Sequence, residues 1–101
     1  MTQKISEADF QQMVTDYCDW LGLRWHHETD SRRTRAGFPD LVIVGKGGIY
    51  FLELKSQKGK ISPDQKAWIY DLHQAGVQAS VARPSDWERL QDVLKNLASA
   101  K

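Results

Sequence analysis

Residues 37–55, GFPDLVIVGKGGIYFLELK, decide how this chain folds. Two apolar, β-branched runs, Asp40 to Val44 and Ile49 to Ser56, flank Gly45-Lys46-Gly47-Gly48, which spells an antiparallel hairpin. Side chains alternate faces along a strand, so Glu53 and Lys55 share a face with Ile49 and Phe51. The turn decides what stands opposite them. A two-residue turn at Lys46-Gly47 makes facing residue numbers sum to 93 and sets Asp40 against Glu53. A turn at Gly47-Gly48 makes the sum 95 and sets Asp40 against Lys55, with Glu53 one diagonal step away. Either turn gathers the three charged groups on one face, with opposed Cβ atoms about 4.5–5.5 Å apart. A three-residue loop would scatter them.

Working outward toward the N-terminus, Ser6 is a good N-cap with Asp9 at N3, and Ile5 and Phe10 stand at staple positions. Phe10, Met13, Val14, Tyr17, Cys18 and Leu21 follow helical spacing, and Gly22 is a natural stop. Leu23 to Thr29 alternates as a strand, and Asp30 to Phe38 is a polar, basic loop. Toward the C-terminus, Ser62-Pro63-Asp64-Gln65 combines an N-cap, a Pro at N1 and a capping-box Gln. That helix is expected to run to Ala75 and stop at Gly76. Val77 to Arg83 reads as a last strand ended by Pro84. Ser85-x-x-Glu88 then caps a helix with the inward stripe Trp87, Leu90, Val93, Leu94 and Leu97. The order α-β-β-β-α-β-α predicts an α/β domain, a mixed sheet flanked by helices with an additional C-terminal helix, filling residues 1–101 as one unit.

Composition agrees with one globular domain. At 41% hydrophobic and 27% charged residues over 101 positions, disordered, collagen-like and coiled-coil readings drop out. No apolar run approaches the roughly 20 residues of a membrane span, so no membrane partner is expected. A lone cysteine, Cys18, cannot form an internal disulfide, and the simplest expectation is a reduced, cytoplasmic protein. The net charge of +1 conceals a gradient, because residues 1–23, 24–66 and 67–101 carry −3, +4 and 0. A local basic surface on a nearly neutral chain suits a polyanionic partner.

Two facing carboxylates repel unless a cation lies between them. A hard divalent ion such as Mg²⁺ takes oxygen ligands and keeps positions open for water and phosphate oxygens. Lys55 beside such an ion can hold or deprotonate a water and stabilise charge on an attacked phosphate. The bland alternative makes Asp40 a turn residue after Pro39 and Glu53 and Lys55 a solvated face. The apolar neighbours Tyr50, Phe51, Leu52 and Leu54 weigh against it, since charges in such a strand are half-buried and need a reason. Glu7, at the N-terminal end of the first helix's stripe, is either a partner of the helix dipole or a further ligand reaching the sheet.

Gly37-Phe38-Pro39-Asp40 followed by Glu53-Leu54-Lys55 resembles the P-D…(D/E)-x-K signature of restriction-endonuclease-like nucleases. Gly59-x-x-Ser62-Pro63-x-Gln65, with the G-F-P-D spelling, is more narrowly similar to the virus-type replication-repair nuclease (VRR-NUC) family. The likeness runs from Glu7 through the last strand. It implies a restriction-endonuclease-like αβββαβ core and Mg²⁺- or Mn²⁺-dependent hydrolysis of phosphodiester bonds. By the same resemblance Asp40, Glu53 and the Leu54 backbone carbonyl would hold the metal, with Glu7 as the helix carboxylate. Lys55 would be the catalytic lysine, and Gln65 would orient the site alongside its capping role. The resemblance further implies a homodimer acting on duplex or branched DNA, in the manner of a Holliday-junction resolvase.

Arg32, Arg33 and Arg35 before Asp40, and Lys58 and Lys60 after Lys55, are the expected phosphate contacts, positioning a duplex without reading its sequence. His26 and His27 fall on alternating strand faces and cannot enter one site together. Trp25, Trp68 and Trp87 read as core, whereas Trp20 is free for a partner. Two rivals stay open from the residues alone: a non-catalytic DNA-binding module on the same fold, and an RNA-processing nuclease.

Overall fold

A computed structural model describes residues 4–28 and 36–99, and its elements follow the expected order. Ser6 stands in extended backbone ahead of helix α1 (Glu7–Leu21), its hydroxyl accepting the Asp9 N–H at 3.0 Å. Gly22 ends the helix at φ 77°, a left-handed conformation that glycine adopts without penalty, and donates its N–H to the Asp19 carbonyl. The chain then forms β1 (Arg24–His27), β2 (Leu41–Gly45), β3 (Gly48–Leu54), helix α2 (Pro63–Gln74), β4 (Gln78–Ala82) and helix α3 (Trp87–Ala98). In the sheet the strands lie in the order β1-β2-β3-β4. The first three are antiparallel neighbours, and β4 runs parallel to β3. A parallel pair needs a long crossover, which α2 supplies.

The hairpin resolves the open register. Gly45 pairs with Gly48 and Leu41 with Leu52, so the turn is Lys46-Gly47 and facing numbers sum to 93. Its glycines answer a tertiary demand as much as a local one. The Gly47 N–H donates to the Leu97 carbonyl at 2.8 Å, and a Cβ on Gly45 would collide with that same carbonyl oxygen. The turn thus satisfies an orphan carbonyl at the end of α3.

The sheet's two faces differ. On one, Leu41, Ile43, Tyr50, Leu52 and Leu54 are buried against Phe10, Val14 and Cys18 of α1 and Leu90, Leu94 and Leu97 of α3. The other carries α2, which packs along β4 and contains no buried residue. Here aromatic edges do the joining, with Phe38 against Phe51 at 6.1 Å and against Trp68 at 5.0 Å between ring centroids. Trp68 is therefore half-buried, with its indole N–H on the Ala36 carbonyl at 3.1 Å, and not a core residue as its spacing suggested. Trp25 and Trp87 do pack against the core, and Trp20 is 78% exposed, stacked on Tyr17.

One further expectation fails. Ser85 does not cap α3. Pro84–Asp86 forms a 3₁₀ turn, and the Asp86 carboxylate accepts the Arg83 N–H at 2.8 Å. Ser85 instead bonds the Gln57 side chain, donor to acceptor in both directions. A partner from another loop has displaced the local cap.

Candidate active site

The face beneath α2 collects the predicted charged groups. Asp40 stands one residue before β2, and continuing the hairpin register from Leu41 and Leu52 sets it opposite Glu53. It is braced from both sides. Its carbonyl accepts the Glu28 N–H at 2.9 Å, and its Oδ2 accepts the Leu54 N–H at 2.9 Å. Pro39 before it is fully buried. Gly37, at φ 87°, lies so close to α2 that an added Cβ would fall 2.5 Å from the Asp64 carbonyl carbon. The G-F-P-D stretch is thus a fitted approach that delivers Asp40 to the strand edge.

Glu53 is 2% exposed, a carboxylate in a strand whose neighbours are apolar. Its Oε2 accepts a hydrogen bond from Gln65 Nε2 at 2.9 Å and lies 3.9 Å from Lys55 Nζ. Its Oε1 is buried without a hydrogen-bond partner. Burial first, and then the neighbouring Asp40 charge, push this carboxyl up from the ordinary 4.5 to about 8, although Lys55 pulls the other way. Gln65 connects local and tertiary structure. Its N–H and Oε1 close the capping box with Ser62 at the start of α2, which leaves Nε2 aimed at Glu53. The Gln65 side chain thus closes the capping box and reaches Glu53 at once.

The donor set fits a hard divalent cation. Two carboxylates approach each other, all donors are oxygen, and one buried oxygen has no partner. The Leu54 carbonyl lies in the same stretch of backbone, between Glu53 and Lys55. Glu7 is not drawn in. It is exposed on the first turn of α1, and among the described residues no three His, Cys, Asp or Glu side chains gather. The physical reason is the layer. Helix α1 packs through Phe10, Val14 and Cys18 on the opposite face of the sheet. Lys58 and Lys60 are exposed on the loop that leaves Lys55. Arg32, Arg33 and Arg35 lie outside the described residues.

The VRR-NUC domain family matches residues 3–86 of the chain. The chain belongs to that family. A solved VRR_NUC domain protein shares its fold with a TM-score of 0.66 at 22% identity, over 94% of this chain and 89% of that one. No curated protein matches the chain. VRR-NUC is a nuclease-type domain, and its restriction-endonuclease-like core is the architecture seen here.

One polar cluster in this VRR-NUC domain had no warning in the sequence. Arg83 Nη1 donates to the carbonyls of Ser56 at 2.7 Å and Gln57 at 3.1 Å, pinning the loop just beyond Lys55. Lys55 itself donates its N–H to the Ala82 carbonyl, the residue before Arg83. No short motif links positions 26 and 27 apart in the chain. The only available hint was an arginine at the end of the strand expected beside β3.

Proposed function

We propose that this VRR-NUC domain is a metal-dependent endonuclease that hydrolyses phosphodiester bonds in duplex or branched DNA. The observation that carries this reading is the buried Glu53, facing Asp40, with one carboxylate oxygen unpartnered and Lys55 at 3.9 Å from the other. Asp40, Glu53 and the Leu54 carbonyl would hold Mg²⁺ or Mn²⁺. When bound, such an ion supplies Lewis-acid polarisation of the phosphate and a more acidic water.

The protein's own groups divide the remaining work. Gln65 fixes Glu53 Oε2 and so leaves Oε1 as the oxygen directed to a ligand. Leu54 N–H fixes Asp40 Oδ2 in the same way. Lys55, mostly buried beside Glu53, is suited to orient the attacking water and to offset charge on the phosphate under attack. Lys58 and Lys60 flank the site as phosphate contacts. One site cuts one strand, so cleavage of both strands of a branch calls for two copies, and a cytoplasmic homodimer completes the reading.

The test is cleavage of continuous duplex, flap and four-way-junction DNA with Mg²⁺ or Mn²⁺ by wild type, Asp40→Ala and Lys55→Ala. Loss of about 10²–10⁴-fold in both variants is expected, the range for removing a positioned catalytic group. Equal products from all three proteins would end the reading. Salt-sensitive binding without any cut would leave a DNA-binding module, and cleavage confined to RNA would move the substrate class.

A further inference from the structure

Helix α2 has two unlike flanks. Asp64 and Asp71 lie on one, around Trp68 and Ala36. The other flank borders a cavity of about 340 Å³ whose apolar walls are Ile61, Ile69 and Val81. Lys66, Tyr70 and His73 form its rim. Tyr70 is 64% exposed, an uncommon position for a large aromatic ring, and its hydroxyl accepts from Gln74 Nε2 at 3.1 Å. The ring is thereby held at its polar end with its apolar body toward solvent and cavity.

This cavity adjoins the carboxylate pair. Val81 is the register partner of Glu53 across the parallel β3–β4 ladder, so one wall lies one strand spacing, about 4.8 Å, from the proposed cutting site. Ile61 ends the loop that begins at Lys55 and carries Lys58 and Lys60. On the other side of the wall, Lys66 follows Gln65, which holds Glu53.

We infer that the Tyr70 flank of α2 is a subsite for an unpaired nucleotide of the DNA next to the scissile phosphate. A planar base stacks on Tyr70 over the Ile61–Ile69–Val81 floor, and Lys66 meets the adjoining phosphate. This inference rests on the nuclease reading above and deepens it, because it names an unpaired nucleotide as the feature that selects the substrate. Charge decides the side. The Asp64–Asp71 flank repels a polyanion, whereas Lys58, Lys60 and Lys66 attract one. Size and lining decide the ligand, since an apolar cleft with a rigid aromatic ring and a flanking cation is how single strands are held without reading their sequence.

The experiment titrates the 101-residue chain, with Ca²⁺ in place of Mg²⁺, against continuous duplex and against a duplex with an unpaired flap. The flap carries 2-aminopurine at its first unpaired position. Wild type and Tyr70→Phe are expected to quench the fluorophore on binding, and Tyr70→Ala is not. Stacking is worth about 1–3 kcal/mol per base, so Tyr70→Ala should lose roughly ten-fold in affinity for the flap and under two-fold for the duplex. Lys66→Ala should weaken the flap complex without adding discrimination among flap sequences, and Asp71→Asn on the opposite flank should leave the quench and the preference for flap over duplex unchanged. Equal losses on both DNAs, or an unchanged quench in Tyr70→Ala, would overturn the subsite. So would a Tyr70→Ala protein that sediments as a monomer where wild type is a dimer while its flap preference is intact, because the groove then serves a second copy. Wild type that quenches through Tyr70 yet cuts no DNA in Mg²⁺ or Mn²⁺ supports the subsite and breaks the nuclease reading alone.

Discussion

The two faces of one sheet are built on opposite rules. Toward α1 and α3, Leu41, Ile43, Leu52 and Leu54 are wholly buried among aliphatic and aromatic side chains, and among the described residues the buried ionisable groups there are the Cys18 thiol and the Tyr50 hydroxyl. Burial pushes both of those groups up, the thiol to about 12, so both are neutral at physiological pH. Toward α2, by contrast, a carboxylate is buried at 2% exposure with one oxygen unpartnered, while Val44 and Ile49 at the hairpin end stay exposed. The first face stabilises the fold. The second carries a buried carboxyl that is costly to ionise without a cation beside it, a cost the first must offset. Stability and activity should therefore separate by face, and substitutions can break that separation or sharpen it.

The largest effect is expected on the costly face. Glu53→Gln keeps the side chain's shape and removes the charge, so cleavage should fall by at least about 10²-fold. Its stability should move the other way in metal-free buffer. Glu53 holds its proton more tightly folded, near 8, than in the ordinary range near 4.5. As pH rises through that window the unfolded chain ionises first, so wild type loses stability between about 4.5 and 8 and changes no further above it. Glu53→Gln lacks this fall. Thermal unfolding in a chelator should find the two proteins alike near pH 4.5 and the variant more stable at pH 8. Adding Mn²⁺ at pH 8 should raise the wild-type midpoint alone, as a ligand that binds only the folded state does. A variant less stable than wild type at pH 8 in chelator would mean that the buried charge is compensated after all.

On the opposite face, Leu52→Ala removes a fully buried side chain at the centre of the core. Such truncations cost about 2–5 kcal/mol, depending on how far the neighbours collapse. Denaturant unfolding should show that loss, whereas the folded fraction should still cut DNA at close to the wild-type rate at a temperature well below its midpoint. An equal collapse of rate would show that the two faces are mechanically coupled.

How far these faces could be read in advance differs in an instructive way. The hairpin was legible because glycine-rich turns and two-residue periodicity are local, and Gly45 opposite Gly48 makes the register that sets Asp40 against Glu53. Ser6, Gly22 and the Ser62–Gln65 box were legible for the same reason. What stayed hidden was set by partners distant in sequence. Ser85 looks like a cap, and only the approach of Gln57 from another loop takes it away. Trp68 fits a core stripe, but its helix crosses an exposed side of the sheet and its ring meets Phe38. Glu7 sits at the right place along a stripe, yet that stripe faces the wrong layer. Periodicity reports which side of an element is buried, not which face of the sheet receives it.

Arg83 offers the smallest and most specific test, since it joins the two regimes. It follows β4 and donates to the carbonyls of Ser56 and Gln57, holding the backbone immediately after Lys55. Arg83→Met preserves length and apolar contact but leaves both carbonyls without their donor. Bonds from a charged donor are worth about 1.5–3 kcal/mol in total effect, so a modest fall in unfolding midpoint is expected. The sharper readout is kinetic. If Arg83 positions Lys55 through this loop, kcat should fall by roughly ten-fold while KM for DNA stays near wild type, because an ammonium misplaced by about 1 Å weakens the chemical step and not the encounter. Arg83→Lys, which returns a cation able to reach one carbonyl, should recover part of kcat. A change confined to KM would assign Arg83 to DNA contact, and a change confined to the melting midpoint would make the clamp purely structural. Either result would place the loop's rigidity outside catalysis and leave Gln65 and Leu54 as the groups that hold the site's geometry.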